Sequence, residues 1–170
     1  MKAAFLAALA AAAAASNSTS LRGINPPMFY QCDGTWGSQQ LGTCSETICS
    51  AGCAITSVAM YLSYRGWGGN PSSLDSWLTN NGGYANGCLI YWASVDNLGF
   101  TSFNGIQYPT YETVCGSVDA GNGIVISVNN GGHYVLINSC AGDGVYNVND
   151  PSLGYVTKTH GEAGDFIVYH

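Results

Sequence analysis

An α+β fold is predicted, with helices in the first half of the chain and an antiparallel sheet in the second. Three observations predict it. Apolar residues recur at helical spacing over 53–62 and 70–78, residue choice shifts toward Val, Ile and Tyr after Gly121, and the later apolar runs are short and punctuated by Gly and Asn. Helices that precede strands, rather than alternate with them, mark a segregated α+β arrangement.

The chain opens with Met1-Lys2, an apolar run to Ala15 and the polar stretch Ser16 to Ser20. A basic start, an apolar run too short to span a bilayer, and small residues (Ala13, Ala15) at cleavage spacing predict a secretory signal peptide over 1–15. Residues 16–27 then form a short N-terminal segment, and 28–170 is expected to be one domain, since the roughly 155 residues left after the signal suffice for a single core but not comfortably for two. No large prodomain is expected. Asn17-Ser18-Thr19 is a glycosylation sequon close to the cleavage site.

Residues 20–52 read as loop, with Pro26-Pro27, glycines at 34, 37 and 42, and three cysteines, and are expected to form a disulfide-tied surface layer. From Cys53, residues Ile55, Val58, Ala59 and Leu62 give one apolar helical face that Gly66 and Gly68-Gly69 end. Asn70-Pro71 supplies an N-cap and a first-turn proline for a second helix, with Leu74, Trp77 and Leu78 inward and Gly82-Gly83 as the stop. Residues 88–97 and 110–118 read as weaker helices. Strands are predicted at 123–128, 133–139, 145–149, 155–159 and 166–169.

Composition narrows function. Four Lys and Arg stand against ten Asp and Glu, and loss of Lys2 with the signal leaves a net charge of about −7. Counterion release needs cations this chain lacks, so nucleic acid and anionic membrane surfaces are excluded as partners. Seven cysteines, at 32, 44, 49, 53, 88, 115 and 140, cannot all pair. In an exported chain most should be bridged, so Cys32, Cys44, Cys49, Cys88, Cys115 and Cys140 are the disulfide candidates, in any of fifteen connectivities. Zinc is the competing use of Cys44, Cys49 and Cys53, but no Cys-x2-Cys pair exists and the histidines are distant in sequence, so neither metal nor cofactor is expected.

The unpaired thiol is best assigned to Cys53, which alone follows a glycine at the start of a well-patterned helix, where the amides and dipole favour a thiolate. On position alone, a disulfide half is an equal reading. His133 follows Gly131-Gly132 at the mouth of the apolar strand Tyr134 to Ile137, the setting a Cys-His pair needs. Asp150, in Asn149-Asp150-Pro151, closes the next strand seventeen residues later, where a hairpin brings it beside the imidazole. In isolation it would be an ordinary Asp-Pro turn.

Four segments, in order, carry a family resemblance: Gln31-x-Asp33-x-x-Trp36, Gly52-Cys53-Ala54-Ile55-Thr56-Ser57-Val58-Ala59-Met60, Gly132-His133-Tyr134-Val135 and Asn149-Asp150-Pro151. Together they resemble the papain-like cysteine peptidases of the bacteriocin-processing, double-glycine leader kind. The resemblance implies a papain-like fold with Cys53 as nucleophile, His133 as general base, Asp150 as the third member and Gln31 as oxyanion donor, with Gln39 and Gln40 as rivals for that last role. Gly52, Gly132, Trp36 and Tyr134 are the expected substrate-binding residues, and Tyr30 and Tyr155 are further cleft aromatics. The expectation is a secreted, monomeric, free-standing peptidase acting on peptide or protein substrates, without the transporter domains of leader-processing members. Two other readings stand beside it: a cell-wall peptide hydrolase or transamidase on the same fold, and an inactive disulfide-rich binding module, which a bridged Cys53 would favour.

Overall fold

The computed structural model describes residues 23–170; the predicted signal peptide, the Asn17 sequon and the rest of 1–22 lie outside the described residues. Six antiparallel strands form the main sheet in the order β3-β8-β4-β5-β6-β7. These are β3 (Phe103–Gln107), β4 (Gly123–Val128), β5 (His133–Gly142), β6 (Val145–Asp150), β7 (Gly154–Thr159) and β8 (Phe166–Tyr169). Ahead of them come α1 (Ile48–Ala51), α2 (Cys53–Tyr64), α3 (Pro71–Asn80) and the small hairpin β1 (Tyr84–Ala85) with β2 (Leu89–Ile90); α4 (Tyr111–Asp119) separates β3 from β4.

Helix α2 was expected to be amphipathic, yet Ile55 through Leu62 are all buried. The sheet covers one side, and α3 together with Trp36, Leu41 and Ile48 from the preceding layer covers the other, so all join a single core. Met60 on α2 reaches Asn149, whereas Tyr111 on α4 packs against Tyr146. Those two β6 residues differ in parity, so α2 and α4 lie on opposite faces of the sheet. At Gly123 the ring of Tyr61 occupies the space a Cβ would need, which brings α2 close to β4.

The second helix starts as the sequence predicts, with the Asn70 side chain capping the Ser73 amide and Pro71 in the first turn. The helix expected over 88–97 is instead strand β2 followed by a 3-10 helix, Trp92–Leu98. Its inward residues Trp92, Val95 and Leu98 recur every three positions, the period of that tighter helix. Strand β3 was not predicted. Asn104 and Gly105 interrupt its apolar pattern, and its partner β8 lies some sixty residues away. Residues 23–27 lie along the sheet, with Ile24 buried and its amide bonded to Asn138.

The remaining cysteine partners are set by the fold: Cys32 with Cys49, Cys44 with Cys88, and Cys115 with Cys140. Chain-entropy arguments put each at about 3 to 4 kcal/mol for loops of this size. They anchor the layer before α1, the β1–β2 hairpin and α4.

Candidate active site

Cys53 is the seventh cysteine and is in no disulfide. It begins α2, where the first four amides have no intrahelical acceptor. The helical ladder of α1 ends with the Gly52 amide on the Ile48 carbonyl and resumes with the Thr56 amide on Gly52. Gly52, at ψ 14°, makes this break. A Cβ there would sit 2.4 Å from the Ile48 carbonyl oxygen, so only glycine lets α1 fold back so closely on the start of α2.

His133 opens β5 after the turn Asn129-Asn130-Gly131-Gly132. The first three residues of that turn have positive φ, which asparagine and glycine tolerate best. Ser57, one turn along α2 from Cys53, bonds the Tyr134 carbonyl at 3.1 Å and locks α2 to the strand that carries the histidine. On the far side, His133 Nε2 lies 2.8 Å from Asp150 Oδ1. The hydrogen bond with Asp150 and then the nearby Cys53 thiol push the His133 pKa up to about 9 against the opposing effect of burial. With Nε2 turned to the carboxylate, Nδ1 is the ring nitrogen left for the thiol.

Asp150 is 1% exposed. Burial alone would raise its pKa, but hydrogen bonds from His133 and from the Ser152 and Leu153 amides outweigh it and hold the carboxyl below its ordinary range. All three donors converge on Oδ1. Gln31 is also buried: its Nε2 donates to the Cys49 carbonyl at 2.6 Å, and its Oε1 accepts from the Ser152 hydroxyl at 3.1 Å. One Nε2 hydrogen remains free.

These groups share an open cleft of about 570 Å3, lined by Gln31, Cys53, Gly132, His133, Tyr134 and Asp150 together with Ser50, Asn129, Ser152, Leu153 and Lys158. Other expected site residues lie elsewhere. Trp36 is core, its ring edge-on to Phe29 and its indole N–H bonded to the Tyr30 carbonyl, because a buried indole must satisfy its donor. Gly52 is buried against Ile48 rather than lining the cleft. Gln39 bonds Asp75 and Gln40 bonds the Cys44 carbonyl, away from the thiol. Tyr30 and Tyr155 are exposed outside the cleft. Cys44 and Cys49 are consumed by disulfides, which removes the zinc set, and no group of three or more His, Cys, Asp or Glu that could hold a metal ion is found among the described residues.

Sequence reasoning missed Ser57, Ser152 and Lys158. Only Ser152 had a local signal, since an Asp followed two residues later by a serine amide is the pattern of an Asx turn.

Three comparisons with known proteins bear on this arrangement. The Peptidase_C39 like family profile matches residues 24–163. Among solved structures, the chain is similar to a double glycine motif protease from an AMS/PCAT transporter, determined in complex with the leader peptide. The two share 18% identity at a TM-score of 0.55, over 87% of this chain and 93% of that one, which shows a common papain-like fold. No curated protein matches.

Proposed function

The chain belongs to the Peptidase_C39 like family, and from that premise we propose that it is a secreted, monomeric cysteine peptidase that hydrolyses peptide bonds with Cys53, His133 and Asp150. The observation that carries the reading is the arrangement around one thiol. Six cysteines are bridged, and the seventh stands at a helix start in a cleft, beside an imidazole held by a buried carboxylate. A scaffold kept only for binding has no need of that arrangement.

In this mechanism His133 Nδ1 takes the Cys53 proton while Nε2–H donates to Asp150, which fixes the ring and stabilises the imidazolium. The thiolate attacks the substrate carbonyl, and the oxyanion is held by the Cys53 amide and the free Nε2–H of Gln31. His133 then gives its proton to the leaving amine. Water, deprotonated by the same imidazole, attacks the thioester and releases the acid, restoring the thiol. Gly132 and Tyr134 border the substrate beside the histidine. The three disulfides support export, and no helix among the described residues is long and apolar enough to cross a membrane.

The test is hydrolysis of quenched peptides by the oxidised protein, with mass detection of an acyl-enzyme. Turnover with an adduct on the Cys53 peptide, both absent in Cys53→Ala, is expected. Turnover that survives Cys53→Ala would sink the proposal.

A further inference from the structure

The four basic residues of the chain are Lys2, Arg22, Arg65 and Lys158. Of the two among the described residues, Arg65 and Lys158, only Lys158 lines the cleft, where it is half-buried on β7. The one ion pair among the described residues joins His133 to Asp150, and residues 1–22 contain no acid, so the Lys158 ammonium has no carboxylate partner in the chain. Glu162 is the acid that feels it through space, but that carboxylate is committed to the Thr159 amide and hydroxyl. The cleft's own carboxylate, Asp150, is matched by His133. A molecule with ten acids and four bases therefore leaves an uncompensated positive group in the cleft that holds its thiol.

Strand register locates that charge. Lys158 pairs with Tyr146 and Gly154 with Asp150, so Lys158 shares a sheet face with Asp150, four residues further along. Four residues of strand span about 13 Å, and a lysine arm recovers roughly half of that. An extended peptide advances about 3.3 Å per residue, so its second to fourth residue from the scissile bond comes level with the ammonium.

We infer that the cleft takes peptides bearing a carboxylate two to four residues from the bond that is cut, and that Lys158 selects them. The carboxylate is an Asp or Glu side chain or the free C-terminus of the peptide. This rests on the peptidase reading above. An unpaired, partly desolvated cation forms its strongest contact with a carboxylate, and the surrounding negative charge repels acidic chains presented in any other register.

The experiment walks a single Glu through an otherwise neutral quenched peptide, with Gln counterparts and with free-acid and amidated C-termini. Wild-type, Lys158→Gln and Lys158→Glu proteins are compared in kcat/KM, and binding of the same labelled peptides to Cys53→Ala and Cys53→Ala/Lys158→Gln is followed by anisotropy. One Glu position, or the free acid over the amide, should raise kcat/KM about tenfold, mainly through KM and less so at high salt. Lys158→Gln should erase the preference and Lys158→Glu reverse it toward basic peptides. Which substitution responds separates a side-chain from a terminal carboxylate. Equal rates for Glu and Gln at every position and for both termini, or a preference unchanged in Lys158→Gln, would overturn the inference and leave the peptidase reading intact. Selective binding of acidic peptides by Cys53→Ala that needs Lys158, with no turnover by wild type, would uphold carboxylate selection by Lys158 and defeat the peptidase reading, and with it the position counted from a cut bond.

Discussion

Asp150 Oδ1 accepts from His133 and from two backbone amides, so its geometry survives any replacement that keeps an acceptor oxygen there. Asp150→Asn keeps one and removes the charge. The imidazolium, now held near pH 9 first by Asp150 and then by Cys53, should lose part of that support. Activity that depends on protonated His133 is lost as pH rises through this value. The alkaline limb of kcat/KM should therefore lie near 9 in wild type and move to lower pH in Asp150→Asn, whereas Asp150→Ala should lose activity at every pH. A limb unmoved in Asp150→Asn would remove the carboxylate from the account. Gln31→Ala should lower kcat about 100- to 1000-fold with little change in KM if its free N–H meets the oxyanion. The same side chain also braces Ser152 and Cys49, and the split between kcat and KM separates the two roles: a loss confined to KM would point to bracing alone.

At the scale of elements, the break at Gly52 and the Cys32–Cys49 bridge shape the mouth of the site. Gly52→Ala drives a methyl into Ile48, whose backbone cannot yield without shifting α1, and should cost about 1 to 3 kcal/mol in denaturant unfolding. The Cys32–Cys49 bridge lies next to Gln31 in sequence and ties it to the segment whose carbonyl Gln31 holds. Removing it as Cys32→Ser/Cys49→Ser should lower kcat as well as Tm. Cys115→Ser/Cys140→Ser, which frees α4 from β5 away from the cleft, should lower Tm alone. Equal kcat in the two double variants would show that the first bridge only stabilises. The same scale explains what was legible. The helix beginning at Cys53, the capped helix at Asn70-Pro71 and the strands after Gly121 were readable, because caps and apolar periods are local. Strand β3 was not, since Asn104 and Gly105 spoil its alternation and its partner is remote.

For the molecule as a whole, the same physics divides the site from its surroundings. Cys53, His133 and Asp150 could be singled out in the sequence because each sits at the end of a helix or strand with a glycine, turn or proline beside it, and the structure brings the three into one cleft. Trp36 and Gly52 were misread because a residue's burial depends on which layer closes over it, and that layer is irregular chain held by disulfides. Folding stability carries the imprint of the pair. His133 has a folded pKa near 9, above its ordinary 6.5, so its contribution is fully present below 6.5 and is lost as pH rises to 9. Asp150 is depressed below its ordinary 3.8, so its contribution is present above 3.8 and is lost as pH falls through the lower, folded value. Calorimetry should find Tm declining between pH 6.5 and 9, with that decline flattened in His133→Ala. An identical decline in that variant would assign it to other groups.

The central claim is that Cys53 is a free thiol activated by His133. It is tested most directly by alkylating the native, non-reduced protein at neutral pH, mapping the label by peptide mass and comparing rates in wild type and His133→Ala. The account predicts label on Cys53 alone, added at least about tenfold more slowly in His133→Ala. Cys53 recovered in a disulfide, or alkylated equally fast without the histidine, would contradict it.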